Sequence, residues 1–189
     1  MHPTGREEME KIIKDKAQRT KYAKTFEQPK SLDDLIYEAF QKAEFYDNLK
    51  DPRNISAVDT HQVALMMRFV KAICTADHLD MEWYAFALTP KQLANKIREI
   101  ANRLGKHFLG DFSRFDGTQG LFCRLIERRG LHILFHGQYR DEINSLTDAE
   151  VHAIFTTACG IKYYPGYGKL SGGATTSMGN TLIDAVIHY

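Results

Sequence analysis

SGGATTSMGNT, residues 171–181, is the stretch on which the reading of the chain turns. Ser171-Gly172 opens a loop of small residues, and from Ser177 onward Met178, Leu182, Ala185 and Tyr189 recur at helical spacing. A flexible loop therefore feeds a helix that carries Thr176 and Asn180. These two stand four positions apart, so they share a helix face and present two polar groups to one ligand. Taken alone, a Gly/Ser loop with a helix cap accounts for the same pattern. The chain stops at Tyr189 with neither cap nor breaker, which reads as a helix cut in its middle and suggests a fragment. Upstream, GYGKLSG fails as a phosphate loop: Tyr163 stands where the first glycine is required, and Lys169 is followed by Leu170.

Working back, an extended segment from Lys106 to Phe112 leads into a turn at Arg114–Gly117, within GDFSRFDGT at 110–118. Asp111 then stands at a strand end and Asp116 after the turn. The first carboxylate suits a divalent cation, which takes oxygen ligands, and the second reaches a substrate hydroxyl. Asp–x4–Asp is a weak pattern by itself, and turn chemistry at Asp116-Gly117 explains it equally. Further upstream, LKDPRNIS at 49–56 places Lys50 and Arg53 around a rigid turn at Pro52. An arginine fork and a lysine point charge can hold a polyphosphate, and so can they form surface salt bridges.

The remaining chain supplies helices. Ser31 with Asp34 resembles a capping box before Leu32, Leu35, Ile36 and Phe40 on one face. Val63, Met66, Met67, Val70 and Cys74 mark a second amphipathic helix. Thr89-Pro90 begins a third through Leu93, Ile97, Ile100 and Leu104, closed at Gly105. In the next, Leu121, Phe122, Leu125 and Ile126 are expected to face inward. Thr147 with Glu150 predicts another capping box, for a helix closing at Gly160. Ile161 to Leu170 reads as a hairpin bent at Pro165-Gly166, or as a loop. His132 and His136 lie four apart but lack a third ligand in sequence. Trp83, Tyr84 and Phe86 read as a buried aromatic cluster.

The composition excludes whole classes. With 189 residues, 43% hydrophobic and 26% charged at a net charge of +1, the chain is neither disordered nor generally polybasic. It fits one domain or a piece of a larger one, able to bury roughly 70% of its unfolded surface. No apolar run reaches the roughly 18 residues of a membrane span. Three scattered cysteines indicate neither a disulfide framework nor a zinc ribbon.

Taken together and in order, the three stretches resemble the RNA-directed RNA polymerases of positive-strand RNA viruses, most closely the tombus-like and noda-like groups. Asp111 and Asp116, in DFSRFDGT, match the family's motif A. Ser171, Gly172, Thr176 and Asn180 match motif B at every spacing. Lys50, Pro52, Arg53 and Ile55 match the finger motif F, and WYAFALTPKQLANKI resembles the usual lead-in to motif A. The resemblance covers about residues 45–189.

What it implies is an α+β fragment of a right-hand polymerase, truncated in the helix after motif B. Residues 1–30, rich in charge and poor in large apolar residues, read by composition as an arm or helix; the resemblance would make 31–105 a fingers-type segment and 106–189 a partial palm. The implied function is template-directed RNA synthesis, with RNA template and nascent strand, nucleoside triphosphates and the rest of the replicase as partners. Two Mg2+ or Mn2+ ions would be the cofactors, with Asp111 as ligand. Asp116, Ser171 and Asn180 would read the ribose 2′-hydroxyl, with Thr176 supporting them. Lys50 and Arg53 would hold the triphosphate, and Ser171-Gly172 would move with the template. The implied location is the host cytoplasm, on replication membranes reached through parts outside this chain. The family's Asp-Asp pair downstream of motif B is missing, and Asp33-Asp34 upstream sits in a segment read as a helix. Gly173 also stands where many tombus-like members have an acid. The chain is therefore expected to be inactive alone. The alternative is a non-catalytic nucleotide- or RNA-binding module.

Overall fold

The computed structural model describes all residues except Tyr46, Lys50, 77–83, 86–87, Leu104, 107–109 and Tyr189. Two helices, α1 (Arg6–Ile12) and α2 (Lys16–Glu27), come first, followed by a single 3-10 turn at Leu32–Asp34. Strands β1 (Glu38–Gln41) and β2 (Asn54–Ala57) precede the long helix α3 (Thr60–Cys74) and then α4 (Pro90–Arg103). A one-turn helix α5 (Phe115–Thr118) leads to α6 (Leu121–Leu134), and a 3-10 turn connects it to α7 (Arg140–His152). Strands β3 (Phe155–Thr157) and β4 (Lys162–Tyr163) and helix α8 (Thr176–His188) complete the order. The architecture is α+β, as expected, with a small mixed sheet in the order β2-β1-β3-β4. β1 runs antiparallel to β2 and parallel to β3, while β3 and β4 are antiparallel.

Helix α3 is the spine. Asp59 caps it by accepting from the His61 backbone N–H at 2.7 Å. Its Met66, Phe69, Val70 and Ile73 are buried against Leu131 and Phe135 of the α6 end, Ile143 and Leu146 of α7, and Met178 of α8. Phe69 meets Phe135 edge-on at 5.0 Å between ring centroids. A second cluster of Ala39, Ala153, Phe155 and Leu170 seats the sheet, and a third joins Met9 and Tyr22 to Ala64 of α3. The first thirty residues are thus docked helices. Burial holds the Tyr22 phenol up at about 12. The polar residue Gln62 bridges the clusters: it accepts from the Tyr37 hydroxyl at 2.6 Å and donates to the Leu146 carbonyl at 2.9 Å.

Helices α3, α4 and α8 form where periodicity places them; at the Thr89-Pro90 entry the Thr89 hydroxyl accepts from the Gln92 N–H at 3.4 Å and Gln92 Oε1 accepts from the Thr89 N–H at 2.9 Å, a reciprocal cap. Four expectations are corrected. Ser31 caps only the 3-10 turn, because Asp59 Oδ2 captures the Ile36 N–H at 3.1 Å and residues 38–41 pair into the sheet. Thr147 is not a cap: it lies inside α7, its hydroxyl bonded back to the Ile143 carbonyl at 2.8 Å. The following β-rich residues Phe155–Thr157 extend as a strand rather than continuing to Gly160. The hairpin bends at 158–160, where Gly160 takes φ +81°, and Pro165–Gly168 is a separate turn. The expected strand at 106–112 falls partly outside the described residues, and 110–112 carry no strand pairing. Of the expected aromatic cluster, Tyr84 is buried, while Trp83 and Phe86 lie outside the described residues.

The fourth correction concerns α6, whose inward face is the opposite of the expected one. Phe122 is 73% exposed and Leu121 and Leu125 about half, whereas Arg124, Glu127 and Leu131 are buried. We predict that Leu131→Ala lowers unfolding free energy by about 2–5 kcal/mol, whereas Phe122→Ala stays within about 0.5 kcal/mol. Urea unfolding midpoints of the two variants test this, and the reverse ranking would restore the apolar face.

Candidate functional site

Loop 168–175 and the first turn of α8 are placed by a buried ionic cluster that sequence periodicity did not reveal. Arg124, Glu127, Glu150 and Lys169 are all buried, two cations against two carboxylates. Lys169 Nζ donates to Glu127 Oε1 at 2.7 Å and to Thr175 Oγ1 at 2.9 Å. Arg124 donates to Glu150 Oε2 at 3.0 Å and to the Tyr167 and Gly168 carbonyls at 3.0 and 2.5 Å. Gly179 lies beneath: a Cβ there would stand 2.0 Å from Glu127 Oε1 and 2.7 Å from Lys169 Nζ. In the sequence Arg124 and Glu127 are two of four charges in α6, with Arg128 and Arg129, and nothing local singles them out as buried.

The cluster delivers the loop to its partners. Thr176 Oγ1 shares its one proton between the Leu170 and Gly173 carbonyls, at 2.5 and 2.9 Å, closing the loop over the α8 N-terminus. Ser171 Oγ accepts from the Ser56 N–H of β2 at 2.9 Å, and the Gly172 N–H donates to the Ser56 carbonyl at 3.0 Å. A Cβ at Gly172 would fall 2.7 Å from that carbonyl, so the close approach requires glycine. The Lys169 N–H donates to the Asp116 carbonyl at 2.8 Å, tying the loop to α5.

Asp116 and Asn180, 64 residues apart, meet directly. Asn180 Nδ2 donates to Asp116 Oδ1 at 2.7 Å, and Asn180 Oδ1 accepts from Gln119 Nε2 at 2.7 Å. Ser171 Oγ is not bonded to either of them; it accepts from β2 and keeps its own proton to donate. Arg114, just before α5, adopts φ 52°, ψ 43° and donates to Asp51 Oδ2 at 2.7 Å, which brings the 51–53 turn beside α5. A non-glycine residue in that left-handed region is strained by about 1–3 kcal/mol, a feature that clusters at functional sites. Arg53 reaches Glu44 at 3.3 Å, and Lys50 lies outside the described residues.

Asp111 is exposed and lines an open pocket of about 240 Å³ with Phe112, Phe115, Asn180, Thr181 and Asp184. Asp184, one helical turn beyond Asn180, escaped sequence reasoning. Among the described residues no three His, Cys, Asp or Glu side chains converge as a metal site.

This geometry joins three segments that are far apart in the chain, and comparison with known proteins points to one class. The chain is similar to RNA-directed RNA polymerases of RNA viruses. It is 32% identical over 160 residues to that of striped jack nervous necrosis virus and 31% identical to that of Atlantic halibut nervous necrosis virus, in both cases over 82% of its length. The polymerase of Pariacoto virus is 31% identical over 154 residues. The chain spans only 15–16% of the length of these relatives. No protein-family model and no solved structure matches it.

The ionic cluster makes a stability prediction. Lys169→Met leaves Glu127 and Glu150 against one guanidinium and is expected to cost about 3–5 kcal/mol. Removing Glu127 as well, in Lys169→Met/Glu127→Leu, should recover part of that loss. A double-mutant cycle by urea unfolding measures it; strict additivity within about 0.5 kcal/mol would mean that the two side chains are not coupled.

Proposed function

We propose that the chain is the motif A and motif B part of a viral RNA-directed RNA polymerase, with segments of the fingers and of a right-hand palm. The observation that carries this reading is the 2.7 Å hydrogen bond from Asn180 to Asp116, which unites the two motif-bearing segments across 64 residues. The similarity to viral polymerases over 82% of the chain supports the same reading. The reaction is attack of an RNA 3′-hydroxyl on the α-phosphate of a nucleoside triphosphate, on an RNA template.

Within it, Asp111 and Asp116 are the catalytic-site carboxylates. Asp111 is the side chain that holds a divalent cation, Mg2+ or Mn2+, with the other ligands contributed from outside the described residues. Bound in pairs, such cations supply Lewis-acid stabilisation of the attacking and leaving oxygens. Asp116 and Asn180 present an acceptor and a donor to the ribose 2′-hydroxyl. A deoxyribose leaves those groups unpaired, which is how polar sites reject an analogue lacking a hydroxyl. Thr176 and Ser171 hold the loop that positions Asn180, and Gly172 lets that loop lie against β2 and shift with the template. Lys50 and Arg53 neutralise the triphosphate; for Arg53 this means release from Glu44. The enzyme works in the host cytoplasm, with the remainder of the replicase supplying any contact with replication membranes. No helix among the described residues is long and apolar enough to cross a membrane.

In the polymerase that carries this segment, Asp111→Ala should lower primed RNA synthesis by about three orders of magnitude or more, while the protein still folds. Nucleotide incorporation on a primed RNA template measures it. Activity within tenfold of the parent would remove Asp111 from the catalytic site, and incorporation-free binding of RNA unaffected by the substitution would favour a non-catalytic binding module.

A further inference from the structure

We infer that Gln119 is a specificity-determining residue of this site: by donating to Asn180 Oδ1 it reinforces the amide orientation that Asp116 selects, and thereby the ribose discrimination of the Asp116–Asn180 pair. The inference rests on the proposed polymerase reading. Asp116, when ionised, can only accept hydrogen bonds, so the Asn180 group facing it must be the amide nitrogen. The other end of the Asn180 amide is then an acceptor, and it needs a donor. Gln119 Nε2 is that donor, at 2.7 Å. Each orientation in this chain of three follows from the carboxylate.

The position of Gln119 suits the task. It follows α5 directly, three residues after Asp116, and its own backbone is extended at φ −71°, ψ 140°. It is 6% exposed, so water is poorly placed to replace it as donor. Its Oε1 is buried and has no hydrogen-bond partner among the described residues. Among the described residues the side chain thus has one polar engagement, with Asn180. Without Gln119 the Asn180 amide has no reason to prefer its nitrogen inward beyond the pull of Asp116. With an acceptor at 119 the two neighbours would compete for the same two N–H bonds.

Gln119→Met and Gln119→Glu separate loss of the donor from its inversion, at nearly constant size. In the polymerase that carries this segment, kcat/KM is measured for GTP and dGTP on one primed RNA template, with Asn180→Ala alongside and thermal unfolding recorded for each variant. Gln119→Met is expected to lower the GTP/dGTP ratio roughly tenfold, the scale of one oriented hydrogen bond. Gln119→Glu should lower it further. Where Gln119→Met does not fold, Gln119→Asn, whose shorter amide falls short of Asn180, replaces it with the same expected direction. If Asn180→Ala lowers the ratio and the Gln119 variants do not, this inference is overturned and the ribose reading stands. Equal losses for GTP and dGTP together with a lower melting temperature would make Gln119 a packing residue, which also overturns it. If Asn180→Ala itself leaves the ratio unchanged, the reading on which the inference rests has failed.

Discussion

The desolvation of four charges governs how this structure assembles. Arg124, Glu127, Glu150 and Lys169 are buried together, and ions taken out of water are tolerated only when paired and fully hydrogen-bonded. That requirement fixes α6 against α7 and both against the turn at 167–169, because each cation has partners on more than one segment. Apolar contacts tolerate small slips, whereas a buried ammonium 2.7 Å from its carboxylate does not. Such clusters contribute less to net stability than well-packed hydrophobic residues would, so their value here lies in register. Lys169 is adjacent to the loop that begins at Leu170, and its backbone is bonded to Asp116. The position of the loop and that of α5 are therefore set by the same residue.

Much of the helical framework was legible in the sequence, and the reasons for the failures are specific. Helices α3 and α8 carry apolar residues at helical spacing: Met66, Val70 and Met178 are buried, and Val63, Met67, Cys74, Leu182 and Ala185 are half-buried. Helix α6 misled because its apolar stripe is real but points outward, while Arg124 and Glu127 on the other side are the buried residues. Periodicity assigns charged residues to water by default, and only partners at positions 150 and 169 reverse that assignment. Ser31 and Thr147 show a different limit. Hydroxyl–x2–carboxylate is a local pattern, but Asp59 claims the Ile36 N–H from 23 residues away, and Arg124 claims Glu150 from 26. Long-range demands decided both segments.

The site divides along the same line. The spacings of Asp111 with Asp116 and of Ser171, Gly172, Thr176 and Asn180 were readable, because a motif of fixed spacing on a turn or a helix is a local object. That Asp116 and Asn180 touch was implied by resemblance and follows from no spacing. Gln119, Lys169 and Asp184 were invisible, since a lone glutamine, lysine or aspartate acquires its role only from residues that folding brings near. Ser171 was readable by spacing as well, but the bond that its Oγ accepts from the Ser56 N–H of β2 was not.

The preformed Asp116–Asn180 contact has a consequence for how a hydroxyl would be read. An ionised carboxylate has two oxygens and about four lone-pair directions, so accepting one bond from Asn180 leaves room for a hydroxyl donor. Asn180 likewise keeps a second N–H beyond the one given to Asp116. A 2′-hydroxyl can therefore be both accepted and donated to without breaking the bond that holds the pair. The pair does not have to be assembled by the substrate, so little of the binding energy is lost to ordering it. Strain at Arg114 belongs to the same design: it holds backbone in place before any ligand arrives. A site built this way discriminates by what the wrong ligand leaves unpaired rather than by how far the protein must move.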